Sequence, residues 1–426
     1  MIRKLFAFGC LIATLAAAAP LSPRERQLNL DSFEYVWTAV RDKHWEVKPG
    51  GLDWKAVHDE FRPAIEKAET TEQARKVITD MLARLHQTHF GIIPADAYSK
   101  LDEGGASDGV TGLDLRVVGS QILVTSVDPG TPAASSGVHP GWVITKIRDA
   151  DAAPLVAKLS EPYRDSTLRE IALRRALLGR INGQPGESVD IEFLDGADQR
   201  VQKKLALVPP KGAVTRLGFL GPQHVWFDFN KLAGVGYFRF NMFLDPGKLM
   251  PAFSDDVQSC MKCDGFVIDL RGNPGGIGVM AMGMAGWFVD KSGERLGTMY
   301  MRDTTLKFVV NPRAQTFAGP VAILVDGASA STSEIFAEGM QDLHRARVFG
   351  TRTAAAALPS VIEKLPNGDG FQYAIANYIS EGGQPLEGRG VIPDVEAPPT
   401  RAALLAGKDP ALDAAIQWIE SKKANP

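Results

Sequence analysis

Apolar side chains recur at helical spacing over the first part of the chain. Phe33, Val36, Trp37 and Val40 form one run, and Val77, Ile78, Met81, Leu82 and Leu85 another. That is the spacing of helices that bury one face, and it predicts a helical unit over residues 20–100. Thr70-Thr71-Glu72-Gln73 offers a helix start and Pro94 lies past the predicted end, so Thr88-His89-Phe90-Gly91 should fall just after a helix. From Gly109 to Pro209 the pattern shortens to β-rich runs such as Gln121-Ile122-Leu123-Val124, separated by turn residues, which predicts a small β-rich domain over 105–209. From Val235 onward strand-like runs alternate with helix-like ones. Val235-Gly236-Tyr237-Phe238, Gly265 to Leu270 and Val321 to Val325 read as strands, with Val279 to Phe288 and Glu334 to Leu343 as helices between and after them. Such alternation predicts an α/β domain over 213–400, and a short helix, Asp409 to Glu420, closes the chain within 401–426. Pro209-Pro210-Lys211-Gly212 reads as the hinge before it.

The 426 residues are too many for one compact core. The balance of 47 Lys+Arg against 50 Asp+Glu leaves no electrostatic footprint for a polyanion, which argues against nucleic acid as the main partner. Arg3 and Lys4 precede an uncharged run from Leu5 to Ala19 that ends in four alanines. This is the order of a secretory signal over residues 1–19, so a periplasmic or extracellular location is expected. Retention of that segment as an anchor is the lesser reading, because the run is shorter than a membrane span needs. Three cysteines are present. With Cys10 in the leader, Cys260 and Cys263 remain as a lone pair that is either incidental or a short-loop disulfide, with too few companions for zinc.

Two predicted loops after strands could carry chemistry. Asp269-Leu270-Arg271-Gly272-Asn273-Pro274-Gly275-Gly276 contains glycines that let backbone N–H groups approach a ligand. Asp326-Gly327-Ala328-Ser329-Ala330-Ser331-Thr332-Ser333-Glu334-Ile335 enters a helix, where a serine meets free N–H groups and a dipole that favour developing negative charge. On spacing alone, Ser331 and Glu334 are equally a capping box.

Read together, these segments resemble the carboxy-terminal processing protease and tricorn-core family of serine peptidases. The resemblance runs from about residue 31 to 400. It rests on Leu85-His86-Gln87-Thr88-His89, on a segment similar to a PDZ domain from Val127 to Ile144, and on the two loops in that order. It implies a β/α spiral catalytic domain of the Clp protease and crotonase type, with Ser331 as nucleophile. The processing-protease branch places a lysine base soon after the nucleophile helix, whereas this chain reads Thr353-Ala354-Ala355-Ala356-Ala357. Ala356 accepts no proton, and Lys364 lies too far along to replace it. The tricorn-like branch uses a histidine after a small polar residue, which His89 and Thr88 resemble, with His86 as the competing candidate. Its supporting glutamate matches Glu387, which could otherwise be a surface residue paired with Arg389. The N–H of Thr332 with that of Gly275 or Gly276 would form the oxyanion hole. Gly112, Leu113, Asp114 and Leu115 sit where PDZ domains receive a peptide's terminal carboxylate.

The expected protein is an exported serine endopeptidase acting on polypeptides through an acyl-enzyme on Ser331, with no metal or dissociable cofactor. The alternative is a non-catalytic relative of the same fold that binds peptides or another ligand.

Overall fold

The computed structural model describes residues 21–95 and 109–424. The leader over 1–19 and the expected boundary near residues 100–105 lie outside the described residues. Among those described, no helix is long and apolar enough to cross a membrane.

A six-stranded sheet organises the second half of the chain, in the order Phe227–Leu232, Val235–Phe240, Gly265–Asp269, Val321–Val325, Ala346–Gly350 and Val395–Glu396. The first pair is antiparallel and every later pair parallel. Strands Gly265–Asp269 and Val321–Val325 are buried at every position. That explains their unbroken apolar runs, since a parallel sheet is covered on both faces. Phe266, Ile268, Val321 and Ile323 turn towards helices Pro246–Ser259, Gly278–Ala285 and Thr332–Asp342. Val267, Ala322 and Leu324 meet Ala411, Ala415 and Ile419 of helix Pro410–Ala424 on the other face. A disulfide joins Cys260 to Cys263 in the turn before strand Gly265–Asp269.

Three helices open the described chain, Pro23–Lys43, Trp54–Glu66 and Thr71–Ala83, capped by Ser22, Asp53 and Thr70. They do not form the separate unit expected over 20–100. Their core takes in Leu365, Phe371 and Tyr373, and strand Gly91–Ile93 pairs antiparallel with Gly370–Ala374, itself paired to Ser360–Lys364. Arg75 meets the buried Asp369 at 2.8 Å across the same junction. A hairpin from the second half thus completes the core of the helical segment. His89 is thereby carried to the α/β half.

Residues 109–208 build an antiparallel sheet in the order Leu113–Val118, Gln121–Val127, Val143–Ile147, Ser188–Leu194 and Arg200–Ala206, with the first strand at an edge. Helices Ala152–Ser160 and Arg169–Ile181, absent from the β-rich expectation, bury Leu155, Leu173, Leu177 and Ile181. The closing helix expected from Asp409 forms as Pro410–Ala424, and a shorter helix precedes it. Arg401–Leu405 docks on the 109–208 unit through Leu404, packed against Leu123 and Val143, while Pro410–Ala424 lies under the central sheet.

Candidate active site

The loops after Gly265–Asp269 and Val321–Val325 leave the carboxyl ends of neighbouring parallel strands, where α/β sheets assemble binding sites. Asn273 locks them together. Its side chain receives the Gly275 N–H at 2.9 Å and donates to the Phe240 carbonyl at 3.1 Å. Its carbonyl receives the Ala330 N–H at 3.1 Å and the Ser333 hydroxyl at 3.0 Å. A Cβ on Gly275 would lie 2.8 Å from Ser331 Cβ and 2.7 Å from the Thr332 nitrogen, so only glycine permits this approach.

Ser331 precedes helix Thr332–Asp342 with φ 56° and ψ −118°. For a residue with a side chain such a backbone costs about 1–3 kcal/mol, and it persists only where its surroundings enforce it. The Ser331 N–H is shared between the Ala356 carbonyl at 2.8 Å and the Glu334 carboxylate at 2.9 Å. Glu334 also receives the N–H groups of Ala355 and Ala356, at 2.9 and 3.0 Å, and the Thr353 hydroxyl. Four donors thus converge on one buried carboxyl. Burial pushes its pKa up to about 7 against their downward pull. The Ser-x-x-Glu spacing announced the bond to Ser331, but no pattern in the sequence tied Glu334 to Thr353 and Ala355.

Among the described residues, the N–H groups of Thr332 and Gly276 have no partner, and the Thr332 hydroxyl donates to the Gly276 carbonyl at 2.8 Å. The Gly275 N–H is committed to Asn273. Of the two glycines expected to donate to an oxyanion, Gly276 is therefore the available one, and Gly275 provides room.

The segment Thr88-His89 faces the alanine run from the other side. The Thr88 N–H and hydroxyl donate to Glu387 at 2.8 and 2.9 Å, and His89 Nδ1 lies 2.8 Å from the same hydroxyl. The threonine's one hydroxyl proton goes to the carboxylate, so Nδ1 must supply the proton for its own bond to Thr88, which leaves Nε2 unprotonated. Burial lowers the His89 pKa to about 4 and raises that of Glu387. Glu387 also receives the Ala357 N–H at 3.2 Å, one residue from the alanine that holds Ser331. Ser331 and His89 are not hydrogen-bonded to each other. Glu387 does not pair with Arg389, which instead reaches Glu338 at 2.6 Å. His86 is exposed, as is Lys364, while Ala354 to Ala357 are buried.

The side chains of the residues expected to meet a peptide terminus are engaged within the molecule. Leu113 and Leu115 lie in the core of the 109–208 unit, and the Gly112 carbonyl accepts the Asp128 N–H at 2.8 Å. Asp114 is bound to Arg116 at 3.0 Å and to Arg174 at 2.8 Å. Arg116 in turn pairs with Asp326, the first residue of the serine loop, and with Glu170 at 3.2 Å. What stays open is the edge of strand Leu113–Val118.

Residues 234–397 match the model of peptidase family S41, and residues 29–83 that of the tricorn protease C1 domain. A probable CtpA-like serine protease of Staphylococcus haemolyticus is 24% identical over 366 residues, covering 84% of this chain and 66% of the relative. The chain thus spans just under two thirds of the length of the curated relatives it matches. The photosystem II D1 C-terminal processing protease superposes with a TM-score of 0.58 at 21% identity, over 92% of this chain and 99% of that one. Mature CPAF superposes at 0.61 with 13% identity, over 93% and 96%. The mixed α/β fold is the one these proteases share, and residues 234–397 are similar to peptidase family S41.

Proposed function

We propose that this protein is an exported serine endopeptidase that hydrolyses peptide bonds through an acyl-enzyme on Ser331, with His89 as general base. The observation that carries the reading is the Glu387–Thr88–His89 chain of hydrogen bonds, which leaves His89 Nε2 as a free acceptor. In the first step Ser331 Oγ bonds to the substrate carbonyl carbon while Nε2 takes the hydroxyl proton. The resulting oxyanion is received by the Thr332 and Gly276 N–H groups. The C–N bond then breaks, and the imidazolium returns its proton to the leaving amine. Water repeats the sequence to release the acid. A hydrogen bond from Ser331 to His89 would form as substrate closes the cleft, since catalytic contacts tighten in the bound complex.

The catalytic half is read as a β/α spiral, and residues 109–208 as a PDZ-like domain. Their support is the parallel sheet with helices on both faces, and the strand edge at 113–118, which offers β-augmentation to a polypeptide's terminus. Export is supported by the leader-like segment and by the Cys260–Cys263 bond, which persists in oxidising compartments. The test is labelling of the purified protein with a fluorophosphonate, with mass spectrometry to place the adduct. An adduct on Ser331 that is absent from Ser331→Ala and greatly slowed in His89→Ala is the expected result. A folded protein that takes no label would sink the catalytic reading in favour of a binding protein.

A further inference from the structure

A cavity of about 370 Å³ lies between the 113–127 hairpin and the carboxyl ends of the central strands. Neither Ser331 nor His89 lines it. Val117, Val325, Pro398 and Leu404 make part of its wall apolar. Two of its arginines are fully engaged, Arg116 by Asp114 and Asp326, and Arg271 by Asp269 at 2.7 Å and Asp409 at 2.8 Å.

Arg239 is different. Among the described residues its guanidinium donates no hydrogen bond; it lies over the Trp226 ring at 5.5 Å and makes only a long ion pair, 3.8 Å, to Asp269. Its Nε is buried without a partner, and so is the hydroxyl of Thr125, which lines the cavity from the 109–208 unit. Buried polar groups almost always find partners, so two orphans on one cavity point to a ligand that supplies acceptors. The surroundings narrow its chemistry. A guanidinium fork matches a planar carboxylate. Asp114, Glu170, Asp326 and Asp409 line the cavity beside its three arginines, which disfavours a doubly charged anion such as phosphate. The apolar wall requires hydrocarbon behind the charge.

We infer that this cavity binds a single carboxylate carried on a short apolar chain, with Arg239 as its anchor and Thr125 as a second donor. The terminal residues of a peptide and a free medium-chain fatty acid share that chemistry. The inference does not rest on the peptidase reading, because it concerns binding alone.

Calorimetric titration of the full chain carrying Ser331→Ala, which cannot consume a peptide through that hydroxyl, tests it. The probes are the tripeptide Ala-Ala-Val as free acid, the same tripeptide as its carboxamide, and octanoate. At least one acid is expected to bind, the tripeptide acid roughly tenfold tighter than its amide if it is the binder. Arg239→Met should weaken the bound acid by roughly tenfold or more, and Thr125→Val by several-fold. Tripeptide binding without octanoate assigns the site to peptide ends, and the reverse to free fatty acids. Should Arg239→Met fail to fold, Thr125→Val decides. The inference is overturned if no acid binds at millimolar concentration, if tripeptide acid and amide bind alike and octanoate does not bind, or if the folded variants bind as the parent does.

Discussion

Thr88 donates both its N–H and its hydroxyl into the carboxylate of Glu387, at 2.8 and 2.9 Å, across 299 residues of chain. The helical start of the chain and the end of the α/β half thus converge on His89. Replacing Thr88 with valine keeps the branched shape and removes the one atom that passes orientation from Glu387 to the imidazole. A fall in kcat of on the order of 10²-fold with little change in KM is expected, with Thr88→Ser retaining most activity. Steady-state kinetics on unfolded casein would measure it. A Thr88→Val enzyme with full kcat would remove Glu387 from the mechanism.

The His89 pKa sets an acid limb. Burial depresses it from 6.5 to about 4. A base must be neutral to accept a proton, so reactivity should persist below the ordinary histidine range and fall only as pH drops through about 4. The same depression gives stability that is present above 6.5 and lost as pH falls towards the folded value. The rate of fluorophosphonate labelling at Ser331, followed from about pH 8 to about pH 3.5 with circular dichroism to confirm folding, checks the sign. A midpoint near 6.5 would contradict this account of the ring's surroundings.

Strands Gly265–Asp269 and Val321–Val325 were legible because burial on both faces writes itself as an unbroken apolar run. The Ser331 loop stood out as a serine entering a helix, whereas Thr88, His89 and Glu387 were singled out only through family resemblance, since their spacing along the chain carries no geometry. The hairpin over 360–374 hid its role because its apolar residues serve a core built from the first third of the chain. Nothing in the sequence sets Arg116 apart, and only the packing of the 109–208 unit on the serine loop brings it to Asp326. Gly275 and Gly276 are adjacent and alike in sequence. The Asn273 side chain alone decides which of their N–H groups stays free.

The Cys260–Cys263 bond closes a very short loop, so its effect on the unfolded chain is small. The loop-entropy relation puts it at about 2 kcal/mol or less. Cys260 is fully buried in the core of the α/β half, whereas Cys263 packs at its margin. Cys263→Ser should therefore lower the urea midpoint modestly, dithiothreitol should lower that of the parent by a similar amount, and the variant should be insensitive to reductant. A midpoint unmoved by both treatments would mean that the bond does not form in the folded protein.

Glu334 holds the strained Ser331 backbone by receiving the Ser331 and Ala356 N–H groups on one oxygen, and the Ala355 N–H and Thr353 hydroxyl on the other. Glu334→Gln preserves volume but turns an amide NH2 towards one of these donor pairs. Leaving buried donors unpaired costs about 1–3 kcal/mol each, so a drop in stability of a few kcal/mol is expected, with labelling of Ser331 slowed in the fraction that stays folded. The pH dependence separates this from a simple packing defect. The folded pKa of Glu334 is raised from 4.5 to about 7, so the folded state binds its proton more tightly than the unfolded chain does. The associated stability is present below 4.5 and lost as pH rises through about 7. Glutamine does not titrate, so urea unfolding between about pH 5 and about pH 8 should show a shallower decline in Glu334→Gln than in the parent. Glu170, raised to about 7 as well, contributes to the slope that remains, together with the raised carboxyls of Glu338 and Glu387. Equal slopes in parent and variant would mean that Glu334 stays ionised throughout, held by its four donors rather than neutralised by burial.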